Sequence, residues 1–213
     1  MKQYIVIGCG RFGTSVAKTL AKLGNDVMIV DNDPEIVREL AEDVTHAVQM
    51  DAMDEASYKS LGIRNFDVAI ITIGADIEAS IMATLIVKEL GIPTVIAKAQ
   101  NEMHAKILYK IGADKVVFPE RDMGVRVAYN LATPNILDVI EFSPDYSIIE
   151  TVAPDEWQDK TLKELKLSHD LGLTVIAIKR GKEMNISPYA DDKILAGDIV
   201  VVLGHNNNLR KMQ

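Results

Sequence analysis

Cysteine is almost missing from this chain: Cys9 is the single one among 213 residues. One thiol excludes an internal disulfide framework, and with no Cys/His cluster in the sequence a zinc site is excluded too; the count suits a reducing cytoplasm. Positive charge is also scarce, at 23 Lys and Arg against 31 Asp and Glu, for a net charge of −8. That balance excludes a general electrostatic attraction to nucleic acid or to an anionic membrane surface. No apolar run approaches the roughly 20 residues that a membrane-spanning helix needs. A strand is expected from residue 4 onward, leaving no room for a signal peptide. Catalytic signatures are missing as well. The histidines at 46, 104, 169 and 205 lack a carboxylate at a spacing that suggests an oriented pair, and neither G-x-S-x-G nor a Walker lysine occurs. His46 and His104 are expected at the surface or at helix ends.

What the chain does have begins at its first strand. Tyr4-Ile5-Val6-Ile7 runs into Gly8-Cys9-Gly10-Arg11-Phe12-Gly13, and a helix is expected over 14–23. Gly8 suits a tight turn, Gly10 lets backbone N–H groups approach a phosphate, and Gly13 lets the helix pack closely on the strand. Asp31 closes the next strand 18 residues after Gly13, where a carboxylate can accept hydrogen bonds from ribose hydroxyls. The pattern points to a dinucleotide or adenine-nucleotide site. Cys9 reads as a small residue tolerated in the loop.

Through residue 118, apolar strands alternate with amphipathic helices. Strands are expected at 4–7, 26–30, 46–49, 68–72, 94–98 and 115–118, and helices at 13–23, 34–42, 54–61, 77–90 and 101–111. Gly24, Gly62, Gly91 and Gly112 follow the helices as caps. The fold class is α/β: a six-stranded, Rossmann-like doubly wound parallel sheet with ligand at the carboxyl ends of its strands. After Pro119 the pattern changes. A helix is expected over 122–131, a break at Thr133-Pro134-Asn135, and a short second helix around 136–140. A small α+β module follows, with strands at 147–152, 174–179 and 199–203, a helix near 161–165, and a hairpin strand at 182–185. Asn206 to Asn208 read as a polar tail. The expected domains are thus 1–120, a helical linker at 121–142, and the small module at 143–213.

Other strand ends supply candidate ligand contacts. Asp51 and Ala52 can meet an adenine edge, Ile73 and Gly74 line the cleft floor, and Lys98 offers an ammonium to phosphate. Glu120 ends the sixth strand on the same edge, where a carboxylate beside phosphates needs a cation or an arginine between them. Arg11 is the arginine at hand; the alternative is a solvated Arg11 and an exposed Glu120.

The glycine loop, Asp31, Lys98-Ala99-Gln100-Asn101, Ile111-Gly112-Ala113-Asp114 and Phe118-Pro119-Glu120-Arg121-Asp122-Met123-Gly124 together resemble an RCK domain, a regulator of potassium conductance. The likeness extends to Leu195-Ala196-Gly197-Asp198 and is greatest to KtrA- and TrkA-type cytosolic regulators. It implies a non-enzymatic gating subunit, in which dimers assemble as an octameric ring beneath a membrane-embedded potassium transport subunit. ATP or ADP, and in some members NAD or NADH, binds the first domain. By this resemblance Arg11 contacts the terminal phosphate across the dimer, and Glu120 helps to hold a divalent or monovalent cation as the metal ligand. Asp31 binds ribose, Asn32, Asp51 and Ala52 lie near the nucleoside, and the helix after Glu120 is the dimer crossover. The small module can bind cyclic di-AMP, with Val175, Ile186 and Pro188 as its apolar wall. Two other classes stay open on the residues alone. One is an NAD-dependent oxidoreductase with an unidentified substrate; the other is a redox-sensing repressor, for which no helix-turn-helix or basic patch speaks.

Overall fold

The computed structural model describes residues 2–132 and 135–209, without the side chains of 129 and 130. It divides into two compact units, Met1–Glu120 and Arg121–Gln213.

The first unit alternates β1 (Gln3–Ile7), α1 (Arg11–Lys22), β2 (Asp26–Asp31), α2 (Pro34–Leu40), β3 (His46–Gln49), α3 (Glu55–Ser60), β4 (Val68–Ile71), α4 (Ile77–Glu89), β5 (Thr94–Lys98), α5 (Glu102–Lys110) and β6 (Lys115–Val117). All six strands are parallel, in the order β3-β2-β1-β4-β5-β6. Successive side chains of a strand point to opposite faces, and here both faces are apolar. Ile5 and Ile7 enter a core shared with Tyr58, Ala83, Val87 and Leu108 from α3, α4 and α5. Val6 enters the opposite core with Ala17 and Leu40 from α1 and α2. This two-sided burial explains the unbroken apolar runs, and each such residue contributes about 1.5–3 kcal/mol. Strand order reverses at β1, whose neighbours are β2 and β4. Ile7 is in register with both Val30 and Ile71, so Gly8, Asp31 and Thr72 emerge at one sheet edge. A crevice at such a reversal is where open α/β sheets bind ligands.

The second unit holds most of α6 (Pro119–Ala132), then β7 (Ile136–Glu141), β8 (Tyr146–Val152), α7 (Leu162–Leu165), α8 (Leu167–Asp170), β9 (Leu173–Arg180), β10 (Glu183–Asn185), β11 (Ile199–His205) and α9 (Asn206–Leu209). Its strands form an antiparallel sheet ordered β10-β9-β11-β8-β7, around a core that includes Trp157, Ile194 and Val202. The hairpin expected through Arg180-Gly181 is present as β9–β10. Three expectations are corrected. Residues 136–140 form no helix but the edge strand β7, paired antiparallel with β8 through Val139↔Ile149 and Ile140↔Ile148. A five-residue helix would gain almost no hydrogen bonds of its own, whereas the ladder satisfies the backbone. The first helix after the sheet begins at Pro119 rather than Asp122, because proline's fixed φ and missing N–H suit a first helical turn. Asn206 to Asn208 are no free tail but the start of α9, tied by Ser147 Oγ donating to Asn206 Oδ1 (2.8 Å) and by buried Leu209. Thr133 and Pro134, the expected break, lie outside the described residues.

Candidate functional site

The three glycines of the first loop answer three different demands. Gly8 sits at φ +85°, a left-handed turn that carries the chain off β1. Gly13 is required by packing: a Cβ there would collide with the Gly8 carbonyl and Thr72 Oγ1. Thr72 Oγ1 itself donates to the Gly8 carbonyl, so β4 holds the loop in place. Gly10 is required by neither. Its φ is −62°, and a Cβ would meet nothing within 4 Å. Gly10 also lines the cleft described below, so the space at its Cβ opens toward it. Gly13→Ala is therefore expected to cost about 2–3 kcal/mol, measured as a lowered urea midpoint.

The helix that follows is equally informative. Asp33, Asp54, Asp76 and Asn101 cap α2, α3, α4 and α5, accepting from Glu35, Ala56 and Ser57, Ala79, and His104 N–H respectively. Each of those helices also has an acidic residue in its first turn, and α1 has neither cap nor acid. Its first N–H groups and positive dipole end face the loop without an internal anion. An uncapped N-terminus beside open space at Gly10 fits a phosphate.

Asp31, 9% exposed, ends β2 and is engaged by the fold itself. Its Oδ2 accepts from Cys9 N–H (2.5 Å) and its Oδ1 from Asp33 N–H (2.9 Å), so it pins the glycine loop to the second strand. Around these groups lies a cleft of about 400 Å³, a volume suited to a small ligand. It brings together Gly8, Gly10, Asp31, Asn32, Asp51, Ala52, Ile73 and Gly74, all expected from the sequence. Met50, Met53, Thr72 and Asp76 line it too and were not anticipated; Thr72, the residue directly after β4, is the one a strand-end rule would have found.

Five expected residues of the first unit stand outside that lining, Gly13 among them, where it serves the packing described above. Arg11 is exposed, with no ion pair among the described residues, and Phe12 is half-buried. Lys98 Nζ stands 3.2 Å from where a Cβ on Gly74 would lie, at the cleft floor. Glu120 is paired with Lys98, not with Arg11, and hydrogen bonding to that ammonium holds its carboxyl below the usual range. The described residues contain no group of three or more His, Cys, Asp or Glu side chains able to hold a metal. In the second unit Val175 is half-buried against the core while Ile186 is 71% exposed and Pro188 half-buried.

Cys9 is buried, and desolvation together with the Asp31 charge pushes its thiol up to about 12, so it stays protonated. His46 is exposed on β3. His104 corrects the surface expectation: it lies in the first turn of α5 but is 2% exposed, because that turn packs on the sheet. Burial pushes its pKa down, and the neutral ring accepts from Gln100 N–H (3.4 Å).

The TrkA-N domain profile matches residues 4–119 and the TrkA-C domain profile residues 148–213. The chain belongs to the TrkA-domain family. Within it, the chain is 45% identical over 212 residues to Ktr system potassium uptake protein C of Bacillus subtilis (strain 168), covering 100% of this chain and 96% of that one. To Ktr system potassium uptake protein A of the same organism it is 42% identical, with the same coverage. Among solved structures it is similar to GsuK bound to ADP, 26% identical with a TM-score of 0.51, over 61% of this chain and 33% of that one. The chain thus spans a third of that protein. The TrkA-domain assignment agrees with the glycine-loop and strand-end pattern from which the RCK resemblance was read.

Proposed function

We propose that this chain is the nucleotide-sensing subunit of a Ktr-type potassium uptake system. The uncapped start of α1 beside the open space at Gly10 carries this reading, since an external anion would complete it. The 45% identity to a potassium uptake protein supplies the process, and the likeness to an ADP-bound protein supports an adenine nucleotide, ATP or ADP, with NAD or NADH as the alternative ligand. In this reading the α- and β-phosphates meet the N–H groups of α1, Asp31 accepts from the ribose, and Lys98 balances charge at the cleft floor. Arg11 and Glu120 meet the terminal phosphate and its cation, and Glu120 exchanges Lys98 for that cation.

A sensor must bind differently in two conformations, because equal affinity shifts nothing. Ring assembly from dimers, through residues 121–142, gives those conformations a mechanical output at a membrane-embedded transport subunit. Exposed Met123, Val125, Val127 and Leu131 on α6 support a partner helix there. No helix among the described residues is long and apolar enough to cross a membrane; in this reading the membrane path belongs to that subunit, which this chain meets at the cytoplasmic face. Exposed Ile186 and Tyr189 offer apolar surface for a cyclic di-AMP purine. A dehydrogenase would need an acid–base group at the nicotinamide; an exposed His46 and a buried neutral His104 do not favour one.

Arg11 is the test. The terminal phosphate alone separates ATP from ADP, and Arg11 is exposed and unpaired among the described residues. Arg11→Ala is expected to lower the ATP-over-ADP preference roughly 10–100-fold, the worth of one charge-assisted hydrogen bond, while ADP affinity holds. Calorimetry measures both affinities, and potassium flux in liposomes carrying the transport subunit reads the consequence. An unchanged preference removes Arg11 from the sensor.

A further inference from the structure

One buried hydroxyl next to the cleft is not accounted for by the fold. Tyr58, on α3, is fully buried in the first-unit core, yet its Oη donates to the Ala52 carbonyl at 3.0 Å. Ala52 belongs to the segment after β3 that lines the cleft with Met50, Asp51 and Met53. A phenylalanine would fill that core position without a polar atom to satisfy; a tyrosine brings a hydroxyl that must find a partner. Its partner is the cleft segment.

Besides two turn bonds, Asp54 N–H to the Asp51 carbonyl (3.1 Å) and Glu55 N–H to the Met53 carbonyl (3.1 Å), three hydrogen bonds hold that segment. Met50 N–H donates to the Asp31 carbonyl at 3.0 Å, which ties it to the ribose end of the cleft. Asp51 Oδ1 accepts from Met53 N–H at 2.9 Å, closing a local turn. Tyr58 makes the third tie, the one that reaches the Ala52 carbonyl from the core. With these bonds made, the Ala52 N–H donates to no acceptor among the described residues, and Asp51 Oδ2 accepts from none. A backbone donor beside a carboxylate acceptor matches the edge of adenine, where the N1 acceptor adjoins the N6 donor. Guanine presents the reverse there, a donor at N1 beside an acceptor at O6. A site built to hydrogen-bond one edge rejects the other, because its polar groups are then left unpaired.

We infer that Tyr58 is a positioning residue for base selectivity, fixing the Ala52 carbonyl so that the Asp51–Ala52 pair favours adenine over guanine. This rests on the nucleotide reading of the cleft. Burial also raises the phenol's pKa, so Oη keeps its proton and donates throughout the working pH range.

The test is calorimetry of the full chain with ADP, GDP and inorganic pyrophosphate, on wild type, Tyr58→Phe and Tyr58→Leu. Tyr58→Phe keeps the ring and removes one hydrogen bond, so ADP affinity and the ADP/GDP ratio are each expected to fall about five-fold, with pyrophosphate binding unchanged. Tyr58→Leu, which also lacks the hydroxyl, is expected to lose selectivity to the same extent. Thr84→Val is the control. It removes another buried hydrogen bond, Thr84 Oγ1 to the Ser80 carbonyl at 2.7 Å, away from the cleft, and is expected to lower stability but leave the ratio alone. If wild type binds no ADP, the cleft reading fails and this inference with it. If wild type binds ADP while Tyr58→Phe keeps both affinity and ratio, Tyr58 serves the fold alone and the cleft reading stands. Equal losses for ADP and pyrophosphate, or a ratio shifted as much by Thr84→Val, overturn the positioning role in the same way.

Discussion

Gly10→Val is expected to weaken ADP binding about 100-fold or more while lowering the urea midpoint only slightly. The backbone at Gly10 has φ −62°, which any residue adopts, and a Cβ there touches nothing within 4 Å. A Cβ at position 10 therefore meets no clash, and replacing the N-cap glycine by valine costs the fold about 1 kcal/mol. Position 10 directly precedes α1 and lines the cleft, so a side chain there competes with phosphates at the uncapped N–H groups. Displacing a phosphate from two charge-assisted hydrogen bonds forfeits about 1.5–3 kcal/mol each, and 1.4 kcal/mol is a factor of ten in affinity. The contrast with Gly13→Ala makes the result diagnostic. Position 13 has no room for a Cβ, so stability and binding fall together there, whereas at position 10 they separate. Wild-type ADP affinity in Gly10→Val would put the phosphates somewhere other than the start of α1.

That contrast also marks where sequence reading succeeds and where it stops. The glycine loop, the strand after it and Asp31 were legible because each is a local pattern: a period-two apolar run, a turn, a carboxylate at a strand end. Parallel register then carries such strand ends to one edge, so Asp31, Asp51 and Ile73 could be grouped before any coordinate was known. The three glycines, however, are one letter with three physical causes, and only the surroundings of each Cβ tell them apart. Lys98 pairs with Glu120 across 22 residues, a contact no local pattern encodes. Residues 136–140 failed for a related reason. Ile136, Leu137, Val139 and Ile140 fit a helical stripe as well as a strand, and β8, later in the chain, decides between them. Tyr58 was read only as part of an amphipathic helix, since the direction of a buried hydroxyl depends on a neighbour six residues back.

The second large effect lies in the small unit. Arg180→Met is expected to cost it about 3–4 kcal/mol at pH 7, and Asp198→Asn about 2 kcal/mol, although both break the same ion pair. Asp198 is 1% exposed and accepts from Arg180 Nε (2.8 Å), Arg180 Nη2 (2.7 Å) and Leu195 N–H (2.8 Å). Removing the guanidinium strands a buried carboxylate. Removing the carboxylate strands an arginine whose side chain is 53% exposed and can be hydrated, so the loss is smaller. Methionine keeps the apolar stem, so the difference measures charge rather than packing. The sign with pH follows. In wild type, hydrogen bonding to Arg180 holds the Asp198 carboxyl below its ordinary value. Its stabilisation is thus complete above the unfolded value near 4 and is lost as pH falls through the lower folded value. In Arg180→Met the unpaired buried carboxyl shifts the other way, above its unfolded value. The folded variant then takes up a proton as pH falls from 7 to 4.5 and regains stability, while wild type keeps its pair. Urea unfolding of both proteins across that interval is expected to show the gap narrowing. A gap that stays constant or widens would mean that Asp198 reaches solvent once its arginine is gone.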